Sequence, residues 1–326
     1  MIKNVLSKSV LLLLAITMVV ACEKKEEKKV EVTVKEEQTV EPFFKISLAQ
    51  WSLNRAFRGG EADPMDFAKI SKELGIDAIE YVSQLYKPYF SEGNKKEKIA
   101  ELALKLKAES DKHGVTNVLI MVDREGDLAS PKKSKRDEAI ENHKMWIDAA
   151  AVLGCTSVRV NLAPTRNVDP AEWHANSVDG LGRLAAYGAS KNINVIVENH
   201  GGISSDAGKL ATVMAEINMP NCGTLPDFGN FCIDGHPRDN CKVDYNRYKG
   251  TEELMPYAKG VSAKSYDFDE AGNETKMDYR KLLQIVKDAG YTGYIGVEYE
   301  GQRLGEKEGV LATKELLQTI AAEMAK

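Results

Sequence analysis

Short apolar runs alternate with amphipathic stretches along most of the chain. Eight runs rich in β-branched residues have the length of strands, and we predict strands at 44–50, 76–82, 115–122, 156–162, 193–199, 222–227, 259–266 and 293–299. The stretches between them have the spacing of helices, and several end in glycine, as in KELG, DKHG, AVLG and KDAG. Because parallel strands need crossovers of this kind, the alternation predicts an α/β fold with a parallel sheet.

Eight strand–helix units without a break in composition predict a closed (β/α)8 barrel, the TIM barrel, as a single domain over residues 43–326. An open doubly wound sheet is the alternative. It is less favoured because no glycine-rich fingerprint follows the first strand. The weakest element is the sixth strand, a short run that contains Pro226.

The beginning of the chain predicts export. Lys3 and Lys8 precede a short apolar run that ends at Ala21-Cys22, which is the pattern of a secretory signal in residues 1–22. It also resembles a bacterial lipobox, which predicts lipidation of Cys22; an ordinary signal peptide is the alternative. Residues 23–42 are charged and poor in large apolar groups, so we expect a flexible tether. We therefore predict a lipid-anchored protein that faces the periplasm or the bacterial cell surface.

Composition narrows the class of the remaining chain. The hydrophobic and charged fractions, 43% and 29%, are ordinary for a globular protein, and the net charge of −5 argues against nucleic-acid binding. Cys232 and Cys241 flank one loop, where they could pair outside the cytoplasm or remain free thiols. That loop, residues 228–250, is long for a βα connection, which predicts either a lid over the cleft or a surface excursion.

Polar residues mark the ends of the predicted strands, where the catalytic groups of such a barrel lie. They are Gln50, Trp51, Glu80, Asp123, Arg159, Asn161, Glu198, His200, Asp227, Asn230, Lys264, Tyr266, Glu298 and Glu300. Residues two apart share a face of a strand, as Glu198 and His200 do. A cluster of carboxylates is costly unless a cation or a shared proton balances it, so the pattern predicts a functional site. The alternative is that some of these residues only cap the sheet or face the helices.

Four segments resemble one family. VIVENHGG, PDFGN, VSAKSYDFD and GYIGVEYEG are similar to the sugar phosphate isomerase/epimerase family of xylose isomerase-like barrels, over about residues 44 to 320. The resemblance implies a divalent metal held by a Glu, an Asp, a His and a Glu on strands five to eight. The matching positions here are Glu198, Asp227, Lys264 and Glu298.

Lys264 departs from this pattern, because a protonated lysine has no lone pair to give a metal. Two outcomes stay open. Glu198, Asp227 and Glu298 retain a divalent metal (Mn²⁺, Mg²⁺ or Co²⁺), with His200, His236 or water completing the shell. Alternatively, the ammonium of Lys264 replaces the metal.

The resemblance implies an isomerase or epimerase, or a keto-glycoside lyase, that acts on a free or keto sugar or a glycoside through metal-assisted proton transfer and an enediolate. Glu198 and Glu298 would be the acid/base pair, and Lys264 a catalytic residue. The expected sugar contacts are Glu80, Trp51, Arg159, Asn161, His200, Asn230, His236 and Tyr266.

Two other classes of function compete with this one. A sugar-binding lipoprotein without catalysis would explain the loss of a metal ligand at Lys264. A DNA-repair nuclease on the same barrel is disfavoured by the acidic net charge and by the presence of only five histidines. The expected partners are a small carbohydrate and, through the lipid on Cys22, a membrane, with no nucleic acid.

Overall fold

The computed structural model describes residues 42–325. Residues 1–41, which carry the predicted signal sequence, Cys22 and nearly all of the charged segment, lie outside the described residues, as does Lys326. Within residues 42–325, no helix is both long and apolar enough to cross a bilayer.

Ten strands are present in the described part of the chain. They are β1 (Lys45–Ala49), β2 (Ala78–Val82), β3 (Thr116–Met121), β4 (Ser157–Val160), β5 (Asn194–Glu198), β6 (Cys222–Leu225), β7 (Cys232–His236), β8 (Asn240–Asp244), β9 (Val261–Ser265) and β10 (Tyr294–Tyr299). Eight of them form one parallel sheet in the order β6-β5-β4-β3-β2-β1-β10-β9, and each corresponds to a predicted strand.

The two ends of this order meet, so the sheet closes. The backbone amide of Phe228 donates to the carbonyl of Ser262 (3.1 Å), and the amide of Ser262 donates to the carbonyl of Pro226 (2.9 Å). Pro226 lacks an N–H, so β6 ends before it, yet its carbonyl still joins the sheet edge to β9. The predicted barrel is confirmed, and the open doubly wound sheet is wrong.

Helices cover the outside of the barrel. Their bounds are α1 (Asn54–Gly59), α2 (Phe67–Glu73), α3 (Lys87–Phe90), α4 (Lys95–His113), α5 (Lys133–Leu153), α6 (Pro170–Ser190), α7 (Ala207–Ile217), α8 (Arg247–Leu254), α9 (Tyr279–Asp288) and α10 (Glu306–Met324). Gly114 and Gly154 end α4 and α5 in the left-handed conformation, with φ of 63° and 75°, as the glycine spacing predicts.

The apolar core lies between the strands and these helices. Val195, Ile196 and Val197 of β5 are all fully buried, because in a barrel both faces of a strand are covered. The inner face is more polar, with Ser47, Glu80 and Ser262 buried inside the barrel. The barrel interior therefore holds polar groups below the level of the strand ends.

The long loop 228–250 contains an antiparallel hairpin of β7 and β8. A disulfide joins Cys232 to Cys241, with a Cα–Cα distance of 5.7 Å, so the pairing that the sequence left open is present. Three hydrogen bonds tie the hairpin region to the barrel: Arg166 Nη2 to the Gly235 carbonyl (3.1 Å), Lys276 Nζ to the Arg238 carbonyl (2.7 Å), and Arg238 Nη1 to the Glu300 carbonyl (3.4 Å).

Two glycines of α6 provide a matched test of the packing between this helix and the loop after β3. A Cβ at Gly180 would collide with the carbonyl oxygen of Leu128, whereas a Cβ at Gly182 would come no closer than 3.8 Å to Ile217. We expect Gly180→Ala to lower the free energy of unfolding by about 2–4 kcal/mol, and Gly182→Ala to leave it unchanged or raise it by about 0.5–1 kcal/mol. Urea denaturation of both variants checks this, and equal effects would contradict the close contact.

Candidate active site

Three carboxylates from distant parts of the chain meet at one end of the barrel. Glu198 is the last residue of β5, Asp227 follows β6, and Glu298 lies in β10. Each offers one oxygen, the three oxygens lie within 4.8 Å of one another, and all three residues are buried. We call Glu198, Asp227 and Glu298 the carboxylate triad. Their convergence agrees with the sequence pattern, while their chemical roles stay predictions.

Glu198 is held from two sides. Asn230 Nδ2 donates to Glu198 Oε1 (2.8 Å), and Arg159 Nε lies 2.9 Å from Glu198 Oε2. Arg159 Nη1 and Asn161 Nδ2 each donate to Asp123 Oδ1 at 2.8 Å, so the guanidinium bridges two carboxylates. Burial raises the pKa of Glu198 to about 7, although Arg159 acts in the opposite direction.

Asp227 is fixed by backbone amides. Asp227 Oδ1 accepts from the amides of Gly229 (2.7 Å) and Asn230 (2.9 Å). The side chain of Asn199 donates to the Asp227 carbonyl (3.0 Å) and accepts from the Asp227 amide (2.8 Å). Burial raises the pKa of Asp227 to about 7, with Lys264 opposing the rise. The turn PDFGN is thus arranged around this carboxylate.

The hydroxyl of Ser262 lies between two members of the triad, 2.8 Å from Asp227 Oδ2 and 2.7 Å from Glu298 Oε2. A serine hydroxyl has one hydrogen to donate. When it donates to one carboxylate, the second short contact is favourable if the other carboxyl carries a proton and donates to the hydroxyl. This arrangement agrees with the raised pKa of Asp227.

Lys264 supplies a buried positive charge. Its Nζ lies 2.8 Å from Glu300 Oε1, 3.1 Å from Glu298 Oε1 and 3.4 Å from Asp227 Oδ2, and the residue is 1% exposed. Burial opposes the charge, but the carboxylates raise the pKa of Lys264 well above its usual value. Burial likewise opposes ionisation of Glu298, but Lys264 and Ser262 lower the pKa of that carboxyl overall. Glu298 is therefore ionised, whereas Glu198 and Asp227 titrate near neutral pH.

Taken alone, the triad could hold a metal ion. Its three oxygens lie within 4.8 Å of one another, which is comparable to the ~4.2 Å between opposite oxygen ligands of a bound Mg²⁺. With Lys264 in place, however, the residues do not fit a second cation. The ammonium contacts two of the three carboxylates, and each of the six triad oxygens already has a partner among the described residues.

A cavity of about 330 Å³ opens above these groups. Its walls are Trp51, Val82, Gln84, Asp123, Arg159, Arg166, His200, Gly201, Asn230, Gly235, His236, Pro237, Lys264, Glu298 and Glu300. Lys264 and Glu298 face it directly, while Glu198 and Asp227 lie behind them. The hairpin contributes Gly235, His236 and Pro237, so loop 228–250 borders the cleft, while its action as a lid stays a prediction.

Several expected sugar contacts face this cavity: Trp51, Arg159, His200, Asn230 and His236. Three others lie outside its walls. Glu80 is deeper in the barrel, where Ser47 donates to Glu80 Oε1 (2.6 Å). Asn161 supports Asp123, and Tyr266 is buried with a hydroxyl that has no hydrogen-bond partner among residues 42–325.

Other residues of the site carry no predicted role. Asp123 and Glu300 line the cavity; both belong to the strand-end residues of the predicted site, but the sequence pattern indicates no individual role for either of them. Ser262 lies two residues before Lys264 on the same face of β9, so strand alternation could have found it. Gln84 and Arg166 belong to connecting segments, where no sequence pattern indicates orientation.

The model of the xylose isomerase-like TIM barrel family matches residues 68–321. The chain belongs to this family. The strands that carry the carboxylate triad all lie within the matched region.

Two curated relatives match a short part of the chain. The C-glycoside deglycosidase alpha subunit of Arthrobacter globiformis is 39% identical over 61 residues, which is 18% of this chain and 17% of the relative. The 3'-dehydrocarminate deglycosidase alpha subunit of Microbacterium sp is 40% identical over 57 residues, which is 18% of this chain and 16% of the relative. The chain thus spans about a sixth of the length of the curated relatives it matches.

Solved structures share the fold at low identity. The 3-keto-D-glucoside 4-epimerase of E. coli has a TM-score of 0.63 and 14% identity, covering 85% of this chain and 99% of the other. D-Psicose 3-epimerase of Clostridium cellulolyticum H10, solved with D-tagatose, has a TM-score of 0.66 and 14% identity, and the match covers 85% of this chain and 99% of the other. A xylose isomerase-like TIM barrel protein of Mycobacterium smegmatis in complex with magnesium has a TM-score of 0.58 and 18% identity, and the match covers 86% of this chain and 97% of the other. The fold is therefore that of sugar epimerases and isomerases.

Glu80 makes stability depend on pH. Burial raises the pKa of Glu80 from 4.5 to about 8, so the native state binds more protons than the unfolded chain between these values. The contribution of this group to the free energy of unfolding therefore falls as pH rises through that window, by up to about 1.4 kcal/mol per pH unit. Glu80→Gln cannot titrate, so we expect it to gain stability relative to wild type from pH 5 to pH 8. Urea denaturation at several pH values measures the difference, and a constant difference would refute the shift.

Proposed function

We propose that the protein is a sugar isomerase- or epimerase-like enzyme that moves a proton next to the carbonyl of a keto sugar or keto-glycoside. The observation that carries this proposal is the floor of the cavity, where an ionised carboxylate, Glu298, lies beside a buried ammonium, Lys264. A base and an electrophile side by side are what enolisation needs, because the oxyanion must be stabilised as the proton leaves.

Glu298 is the base in this mechanism. It faces the cavity, and its pKa is lowered, so it is ionised at neutral pH. Lys264 donates a hydrogen bond to the carbonyl oxygen of the substrate and stabilises the charge that develops there. Glu198 has a pKa of about 7 and is the proposed second proton carrier of the pair; because it lies behind Asn230 and Arg159, this role requires one of these side chains to move aside. Carboxyl groups whose pKa values are pushed apart suit opposite roles as acid and base.

The cavity fits a small carbohydrate. Its volume is at the lower end of ligand pockets, and Trp51 offers a flat apolar surface while Asp123, Arg159 and His200 offer hydrogen bonds to hydroxyl groups. The similarity to a 3-keto-D-glucoside epimerase and to two deglycosidase subunits supports a keto-glycoside as substrate. The same enolate leads to epimerisation on reprotonation, or to elimination when the neighbouring carbon carries a leaving group.

The divalent metal predicted from the sequence, Mn²⁺, Mg²⁺ or Co²⁺, stays a prediction. Glu198, Asp227 and Glu298 would hold it, and it would supply electrophilic stabilisation of the same oxyanion. The ion would require Lys264 to leave its present contacts with Asp227 and Glu298.

Export and lipid anchoring at Cys22 are likewise proposals. The disulfide between Cys232 and Cys241 supports them, because disulfides persist in oxidising compartments and are rare in the cytosol. An exported enzyme would meet free or oxidised sugars from polysaccharide breakdown rather than phosphorylated sugars.

A carbohydrate-binding protein without catalysis is the second candidate. Lys264 favours it, because the ammonium neutralises the triad without any metal and leaves a polar cavity that could simply bind a sugar. Deuterium exchange distinguishes the two, since a binding protein leaves the C–H bonds of its ligand intact.

We expect wild type to incorporate solvent deuterium next to the carbonyl of 3-keto-glucosides or related ketoses in D₂O, detected by NMR. Glu298→Gln should lower the exchange rate by about 10²–10⁴-fold, the usual contribution of a general base, because the amide cannot accept the proton. Glu198→Gln should lower it as well, with a smaller effect if reprotonation is not rate-limiting.

Glu252→Gln serves as a matched control, because it makes the same carboxyl-to-amide change at an exposed residue of α8 outside the cavity wall, and it should retain the exchange rate of wild type. Thermal denaturation establishes that each variant is folded. Unchanged exchange in Glu298→Gln would remove this residue from the mechanism. Tight sugar binding without exchange in wild type would favour the binding protein.

A further inference from the structure

We infer that Lys264 is the resident cation of the carboxylate triad and that the site works without a bound metal. This inference rests on the proposed function only for the role of the cation in the reaction. The position of the ammonium and its competition with a metal follow from the geometry of the site.

The sheet register places the ammonium inside the triad. Lys264 of β9 and Glu298 of β10 are register partners on neighbouring parallel strands, so their side chains lie side by side. Ser262, two residues before Lys264 on the same face of β9, pairs with Asp227 across the closure of the barrel, which places the Asp227 carboxylate within reach of the lysine side chain. The ammonium therefore meets Asp227 and Glu298 because of the fold of the sheet.

The stem of Lys264 occupies a space that is shaped for it. Gly229 follows the turn after β6, and a Cβ at this position would lie 2.6 Å from Lys264 Cγ and 2.9 Å from the hydroxyl of Tyr266. The hydroxyl of Tyr279 donates to the carbonyl of Lys264 at 2.7 Å, which fixes the backbone there. The lysine is thus packed on its stem and bonded at its tip.

Glu300 is the positioning residue for the ammonium. Its carboxylate makes the shortest of the three contacts with Lys264 Nζ, 2.8 Å, and it lines the cavity on the outer side. Glu298 and Asp227 attract the ammonium from the inner side. The opposing contacts hold Nζ at the floor of the cavity. An ammonium has three N–H groups, so donation to a substrate oxygen would replace the longest of these contacts, the one of 3.4 Å with Asp227.

A divalent ion at the triad would compete with this ammonium for the same oxygens. Lys264 Nζ contacts Asp227 Oδ2 and Glu298 Oε1, and Ser262 contacts Glu298 Oε2. Of the remaining triad oxygens, Glu198 Oε1 accepts from Asn230, Glu198 Oε2 forms an ion pair with Arg159, and Asp227 Oδ1 accepts from backbone amides. Like charges a few ångströms apart repel strongly in a buried site. A metal is therefore expected only after the ammonium is removed.

The test measures metal in the full chain, independently of turnover. Wild type, Lys264→His and Lys264→Met are purified from medium with added Mn²⁺, Mg²⁺, Co²⁺ and Zn²⁺, dialysed, and analysed by mass spectrometry of the metals. We expect well under one ion per chain in wild type and no rise of its thermal midpoint with added Mn²⁺ or Zn²⁺. Lys264→His offers a nitrogen lone pair beside three carboxylates, so it should retain about one ion per chain and gain thermal stability from the metal.

Lys264→Met keeps an unbranched apolar side chain in place of the aliphatic part of the lysine but removes the positive charge. It should be less stable than wild type, because buried carboxylates lose their counter-ion, and added metal should restore part of the thermal midpoint. One tightly held ion per chain in wild type after dialysis would overturn the inference. So would a failure of both variants to bind more metal than wild type while they remain folded. If the inference holds but wild type shows no deuterium exchange, only the proposed function fails.

Glu300→Gln separates positioning from folding. We expect it to keep the low metal content of wild type and to lower the exchange rate at saturating sugar more than it weakens sugar binding, because a neutral amide oxygen holds Nζ less strongly than a carboxylate. An effect confined to sugar affinity would contradict the positioning role.

Discussion

The attraction between two buried cations and the carboxylates around them is the interaction on which the site depends. Removing a carboxylate from water costs several kcal/mol unless a partner compensates, and Arg159 and Lys264 provide that compensation for Glu198, Glu298 and Asp227. At Glu198 and Asp227 the effect of burial is larger than the compensation by Arg159 and Lys264, so the pKa values of both carboxyl groups rise and protons supply the rest. The same imbalance gives the site groups that exchange protons near neutral pH.

Much of the fold could be predicted because the burial of strands and helices in a barrel produces recognisable patterns of apolar residues in the sequence. A strand such as β5, covered on both faces, shows a continuous run of Val and Ile, and glycine at the end of α4 or α5 permits the left-handed turn into the next strand. The choice of Glu198, Asp227 and Glu298 among the strand-end residues rested on the resemblance to the family, whereas the rim on which they lie could be predicted for a related reason. The carboxyl ends of parallel strands meet at one rim, whatever their separation along the chain.

The depth of a side chain inside the barrel and the geometry of the loops could not be predicted in the same way. Glu80 lies in the middle of β2, two residues before its end, and this places it one layer below the cavity with Ser47. Residues of the connecting segments, such as Arg166, are oriented by contacts with a distant hairpin rather than by local pattern. The pairing of Cys232 with Cys241 was equally open, since their spacing allows a disulfide without requiring it.

Glu300 connects the β7–β8 hairpin to the buried charges of the site. Arg238 Nη1 donates to the backbone carbonyl of Glu300, while the side chain of Glu300 accepts from Lys264. A displacement of the hairpin would therefore shift the backbone of Glu300, whose carboxylate positions the ammonium of Lys264 at the floor of the cavity. The position of the ammonium therefore depends on a residue of the hairpin as well as on the strands of the barrel.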